Sequence, residues 1–223
     1  MEGLMLAAAY GLAPNCLGYC GGKEFKKILK TGDLENIKNE LKKFKAHYSY
    51  LKLIGENNNL DAFDNRVIEA FWIGNKLLDN ISKEKIRKMI LEEFVGEGLL
   101  NKEKAEELAK NIPEGCTPHH SFHVFYIHSI TGKLNPTIEN MDNCRVGWGR
   151  IVSIDEGIIV KYRNIRNEEK EKEVKLELDG IKFLEDPKIG DDISFHWNFA
   201  IQKLNKEQKE KLEKYTLKNS FMI

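Results

Sequence analysis

The sequence predicts an α+β protein: an α-helical N-terminal domain over residues 1–135, then a small β-barrel domain over residues 140–223 that closes with a helix. Three observations predict it. Apolar residues recur at helical spacing up to Asn111, as in Leu34, Ile37, Leu41 and Phe44. Charged and apolar residues alternate from Glu173 to Leu178, as a half-buried strand requires. After Cys144, turns rich in glycine and aspartate separate short β-branched runs.

Met1–Tyr10 reads as a buried helix. A signal peptide would carry positive charge where Glu2 stands and a longer apolar stretch, so the protein is expected to be cytoplasmic. Glu24–Leu29 and Asp33–Tyr50 follow as helices, Asn57-Asn58-Asn59 breaks the pattern, and Asp61–Leu78 resumes it with Val67, Ile68, Phe71, Trp72 and Leu78 inward. Ser82 is placed to cap a helix running to about Val95. Asn101 caps a helix to Asn111, although Lys104 stands where a capping box would have Glu or Gln. Pro113 and Gly115 end it. Cys116–Ile130 is aromatic, β-branched and rich in histidine, and Gly132–Asn143 is a looser stretch containing the domain boundary, near 136–143. Strands are expected at Arg150–Ile154 and Gly157–Tyr162 around a turn at Asp155-Glu156-Gly157, at Glu173–Leu178, and at Ile193–His196 after the turn Pro187–Asp192. An amphipathic helix over Asn205–Tyr215 closes the chain.

Composition excludes several function classes. The 35 Lys+Arg are balanced by 35 Asp+Glu, so no excess of positive charge is available to neutralise nucleic-acid phosphates. No apolar run reaches the roughly 18–20 residues that span a bilayer. The expected partners therefore include neither nucleic acid nor membrane. A chain of 223 residues buries roughly 70% of its unfolded surface without help from disulfides or metals, and four cysteines in that length do not describe a disulfide scaffold. There is no phosphate loop, dinucleotide fingerprint or hydrolase triad.

Chemistry-bearing residues fall in a few places. Pro118-His119-His120-Ser121-Phe122-His123 is preceded by Cys116 and followed by His128. His119 and His123, four apart, share a face of either a helix or a strand. With a thiol nearby they have the chemistry to ligate zinc or iron; the competing reading is that the histidines cap and cross-link the domain junction. Cys16 and Cys20 are spaced C-x3-C rather than the C-x2-C of common zinc and redox motifs, which favours structural burial. Asp64, Arg66 and Glu69 lie in an apolar helix, where charged groups pair with one another or face solvent.

Cys144-Arg145-Val146-Gly147-Trp148-Gly149-Arg150-Ile151-Val152 and Gly190-Asp191-Asp192-Ile193-Ser194-Phe195-His196-Trp197-Asn198-Phe199-Ala200-Ile201 resemble the two signature segments of the small chaperones of nickel–iron hydrogenase maturation, the HypC/HupF family. The resemblance covers about residues 144–215. It implies an OB-like barrel and closing helix, with Cys144 matching the family's iron-ligating N-terminal cysteine and His196 the histidine kept near it. Three departures stand out: Cys144 is internal and lacks the adjoining α-amine, Trp148 replaces a proline, and Asn198 replaces a glycine. The whole chain is also similar to an uncharacterised prokaryotic family associated with nickel–iron hydrogenase genes, through Pro14–Gly21, Pro118–Val124 and Cys144–Arg150. In that motif Cys20 is a motif residue and Cys16 is not.

These resemblances imply an accessory factor in nickel–iron hydrogenase maturation. It would bind iron, or an iron–cyanide/carbonyl fragment, through Cys144 and His196, with zinc as the second choice of metal. It would then hand that cargo to a maturation scaffold protein or the hydrogenase large subunit. His119, His120 and His123, with Cys116 or Cys20, are candidates for a second metal site at the junction. Two alternatives stay open: a metalloenzyme that makes or transfers a diatomic ligand such as CO, and a metal-free protein-binding adaptor.

Overall fold

A computed structural model describes residues 3–128, 132, 134–155 and 157–220; Met1 and Glu2 of the expected first helix, Ile130 of the histidine segment and Glu156 of the expected turn lie outside them. The described chain is a mixed α+β protein of ten α-helices, a five-stranded antiparallel sheet and a separate two-stranded one.

Helix α1 (Gly3–Cys16) is apolar on every side, and such a helix has no face to leave in water. Leu6, Ala7, Ala8, Ala9, Tyr10 and Leu12 are accordingly buried. Around it pack α2 (Phe25–Thr31), α3 (Leu34–Lys42), α4 (Lys45–Asn57) and α5 (Asn65–Trp72). The single helix expected over Asp33–Tyr50 is two: the backbone of Phe44 leaves helical geometry and its ring packs edge-on against Phe25, 4.8 Å away. Asp61–Leu78 is likewise shorter than expected, because Asp64 caps α5 at its start and the chain turns at Gly74 before a 3₁₀ turn (Lys76–Leu78). Asp64 and Arg66 pair with each other, Nη2 to Oδ2 at 2.7 Å.

Helix α6 (Lys83–Lys88), capped by Ser82, runs into a π-helical stretch (Met89–Phe94), and α7 (Lys102–Lys110) is capped by Asn101 as the spacing predicted. The three-residue α8 (His120–Phe122) also passes into a π-helical turn (His123–Ile127). The stretch read as a loose linker carries α9 (Ile138–Cys144), whose N-cap Thr137 accepts from the Asn140 amide at 3.2 Å.

Strands β1 (Val146–Ile154), β2 (Ile158–Arg163), β3 (Glu169–Val174), β6 (Asp192–His196) and β7 (Phe199–Lys203) form one sheet in the order β3-β2-β1-β6-β7. The expected barrel is not closed among the described residues. The sheet's two ends meet at one bridge: the Lys175 amide donates to Asn198 O at 2.8 Å and the Ala200 amide to Lys175 O at 3.0 Å. Beyond it the chain peels away into the hairpin β4 (Glu177–Leu178) and β5 (Ile181–Lys182), which also divides the strand expected over Glu173–Leu178.

Alternation along the strands gives the sheet two buried faces. Ile151, Val160, Ile193, Phe195 and Ala200 form a core of the sheet's own, where the Phe195 ring lies over Gly147 so closely that a Cβ there would collide with it. Val146, Phe199 and Ile201 point the other way, into the core of the helices. On β6 this alternation aims Ser194 and His196 at α1, where Ser194 Oγ and Tyr10 Oη are 2.7 Å apart. Helix α10 (Lys206–Leu217), with a capping box between Asn205 and Gln208, returns its buried Leu212 and Tyr215 to the same core. The largest core thus runs from Leu6 to Tyr215, across the expected domain boundary. No helix among the described residues is long and apolar enough to cross a membrane.

Candidate metal centre

Three elements converge beside Tyr10. Helix α9 ends in Cys144, β6 ends in His196, and α8 begins with His120. Their ligand atoms, one per residue, all lie within 4.8 Å of one another. Around a tetrahedral zinc with ordinary bond lengths the same atoms would stand about 3.3–3.6 Å apart, so uptake would draw them together by up to about 1.5 Å.

The surroundings of each group suit a cation. His120 is buried against Trp72, centroids 4.5 Å apart, and its Nδ1 has no protein hydrogen-bond partner among the described residues. Burial, and the nearby His196, hold its pKa well below the ordinary value, so it is a neutral ligand at pH 7. His196 is clamped between two backbone carbonyls, with Nδ1 2.6 Å from Tyr10 O and Nε2 2.7 Å from Cys144 O. A neutral imidazole has a single N–H. Burial lowers this pKa to about 4 although both carbonyls favour the cation. One nitrogen therefore turns a lone pair toward a carbonyl oxygen, a contact that a metal bond would replace once the ring swings off it. The Cys144 thiol is pushed far up by burial, with Cys20 adding to the effect, and ionises only when a cation arrives. An orphaned buried nitrogen, neutral imidazoles and a thiol fit a borderline-soft divalent ion such as zinc or ferrous iron. Three protein donors leave a fourth position open.

Not all of the residues singled out in the sequence come together. His119 stands one residue before α8, so its side chain caps the helix: Nδ1 accepts from the Ser121 amide at 3.2 Å, and its ring lies near Tyr215 instead of sharing a face with His123. Cys116 is buried elsewhere, beside Lys83 and Glu114, its thiol pushed up to about 11 by desolvation. Cys16 lies with Lys26 and Asp179 as its charged neighbours. His123 and Cys20 do join the site, because both line the cavity of about 240 Å³ onto which Cys144, His120 and His196 open.

That cavity holds two histidines that the sequence reading did not assign to a site. His47 on α4 stacks on Phe71 at 4.9 Å, with Nε2 lacking a protein partner among the described residues, and burial lowers its pKa to about 3. His128 follows the π-helical turn with a left-handed φ of 59°. Five of the chain's 6 histidines therefore line one chamber, whose remaining walls are mostly apolar, Phe71, Trp72, Val124 and Trp197 among them. The only available signal for His47 was its place on the inner face of an amphipathic helix, where a core histidine is the ordinary expectation.

No curated protein and no solved structure matches the chain significantly. A family model does, over residues 1–221. The chain belongs to that family, DUF6390, a family of unknown function.

Proposed function

We propose that this chain is a metal-binding accessory factor of nickel–iron hydrogenase maturation. It takes up iron, or an iron fragment carrying cyanide and carbonyl, as cargo and passes it to a maturation scaffold or the hydrogenase large subunit. The observation that carries the metal-binding reading is the convergence of His120, Cys144 and His196 within 4.8 Å, drawn from three elements of the fold. The choice of cargo, partner and a HypC-like sheet rests on the resemblance of residues 144–215 to the hydrogenase chaperones. A soft thiolate with two neutral imidazoles suits low-spin iron bearing strong-field ligands. The protein's own part is to keep those donors neutral and dry until the cargo arrives.

A second reading draws on the cavity of about 240 Å³ beside the donors, which is roomier than an ion needs. On that reading the chain is a metalloenzyme that makes or transfers the diatomic ligand, with the histidines holding its metal. One experiment separates the two. The protein is purified anaerobically after co-expression with hydrogenase maturation proteins, and its infrared spectrum and metal content are measured on one sample. The carrier reading expects bands of iron-bound carbonyl or cyanide that vanish in Cys144→Ala. Metal without such bands moves the assignment to the enzyme. Neither metal nor bands leaves a docking adaptor and overturns both.

A further inference from the structure

A buried three-donor site raises the question of how its ion leaves. A cation held by His120, Cys144 and His196 sits deep against Tyr10 and Trp72, where its bare release into the apolar chamber would carry a heavy desolvation cost. Ligand exchange avoids that step, provided that another donor of the right softness lies between the site and solvent. The side chains around the chamber include one such donor. Cys20 lines the same cavity as Cys144, yet it is exposed to solvent.

The loop that carries Cys20 is held in place. Asn15 Nδ2 donates to both Cys20 O and Gly22 O at 2.9 Å. Gly21 adopts a left-handed φ of 76° and lies so close under the Phe44 ring that any Cβ would collide with it. Next to it the Tyr19 ring packs on Trp197, centroids 5.0 Å apart, and Trp197 directly follows His196. The loop is therefore fixed to Phe44 at the α3–α4 junction on one side and to the His196 turn on the other.

We infer that Cys20 is the exchange ligand of the centre, an exposed thiol at the chamber mouth that takes the ion from the buried donors and presents it to an acceptor. This rests on the metal-binding reading above and adds to it the route of transfer. In the exchange the Cys20 S–H gives its proton to solvent, a metal–sulfur bond forms and the metal–nitrogen bond to His120 breaks, with no change in the oxidation state of the metal. Acceptor thiolates then displace Cys20, Cys144 and His196 in turn, a metal–acceptor bond forming as each bond to this chain breaks, and the two freed thiolates take up protons from solvent. Soft thiolates suit both steps better than the chamber's imidazoles would.

The full-length protein, loaded anaerobically with one equivalent of Co(II), tests this by two readouts: the sulfur-to-cobalt charge-transfer band at equilibrium, and its rate of decay when a dithiol chelator is added in excess. Cys20→Ser is expected to keep the wild-type stoichiometry and band while slowing transfer by about tenfold or more. Cys16→Ser, an exposed thiol outside the chamber, is expected to transfer at the wild-type rate. Equal rates in wild type and Cys20→Ser would overturn the inference and leave the metal site standing. So would a Cys20→Ser band reduced by half, since Cys20 would then be a resident ligand. Failure of every variant and the wild type to bind cobalt would overturn the metal site itself.

Discussion

His196 Nε2 lies 2.7 Å from the carbonyl oxygen of Cys144, so the imidazole and the residue that bears the thiol are joined through the backbone without any ion. Strand register produces this contact. His196 pairs with Val146 across the β6–β1 ladder, and Cys144 stands two residues before Val146, at the end of α9. Two of the three donors are thus brought side by side by the sheet before any ion arrives, and α8 adds His120.

Metal uptake should therefore appear as stabilisation. A ligand at a hundredfold excess over its Kd stabilises the folded state by about 2.7 kcal/mol. For a chain of this length that raises Tm by roughly 5–10 °C. Thermal melts with and without zinc are expected to show this rise in the wild type and none in Cys144→Ala or His120→Ala. A rise of wild-type size in either variant would remove that residue from the ligand set.

The titration state of the donors fixes the sign of a pH effect. Cys144 is a thiol in the ion-free protein, its pKa raised by burial, whereas His120 and His196 are already neutral at pH 7. Each ion bound should release one proton, from Cys144, and affinity should rise about tenfold per pH unit. An indicator dye in weakly buffered solution counts the protons. Two per ion would mean that His196 enters as the imidazolium, donating to both Tyr10 O and Cys144 O.

The parts of this arrangement were unequally legible in the sequence. The caps Ser82 and Asn101 announced their helices because capping is local chemistry. Cys144, His196 and His120 were each recognisable as donors, but their meeting depends on β6 pairing with β1 and on α8 docking beside them, and no local pattern encodes that. The i, i+4 spacing favoured His119 with His123. It failed because α8 starts at His120, leaving His119 outside the helix as its cap. Helix α9 was missed although Thr137 and Asn140 carry its start signal, since the neighbouring Pro136 read as a linker. Closure of the sheet, finally, turns on where its edge strands run, and Lys175 leaves the ladder after a single bridge.

Burial of histidines predicts sensitivity to acid. His47 titrates near 3 in the folded protein, against an ordinary value of 6.5, because its ring is desolvated between Phe71 and Trp72. The unfolded chain thus binds more protons than the folded one between those values, and stability falls as pH drops from 6.5 toward 3. At pH 5 the loss from this residue is roughly 2 kcal/mol. Denaturant melts from pH 7 to 5 are expected to show a smaller decline in His47→Phe than in the wild type. Parallel declines would place the acid sensitivity elsewhere.

The C-terminal helix reaches the centre through one buried amide. Asn219 is fully buried; its Nδ2 donates to Thr117 O at 3.1 Å and Ser121 Oγ at 2.9 Å, and its Oδ1 accepts from the Thr117 amide at 3.1 Å. Ser121 in turn lies 2.8 Å from the Nδ1 of His119. The amide ties the end of α10 to the segment that presents His120. In Asn219→Ala the Thr117 amide and carbonyl lose their partner inside the protein, an unsatisfied burial worth roughly 2–3 kcal/mol. Because those groups anchor the start of α8, the same variant should lower zinc affinity about 10–100-fold, in the range of an outer-shell change. Isothermal titration at a temperature well below the variant's Tm separates the two effects. A variant that is destabilised yet binds zinc like the wild type would show that α8 holds His120 in place without α10.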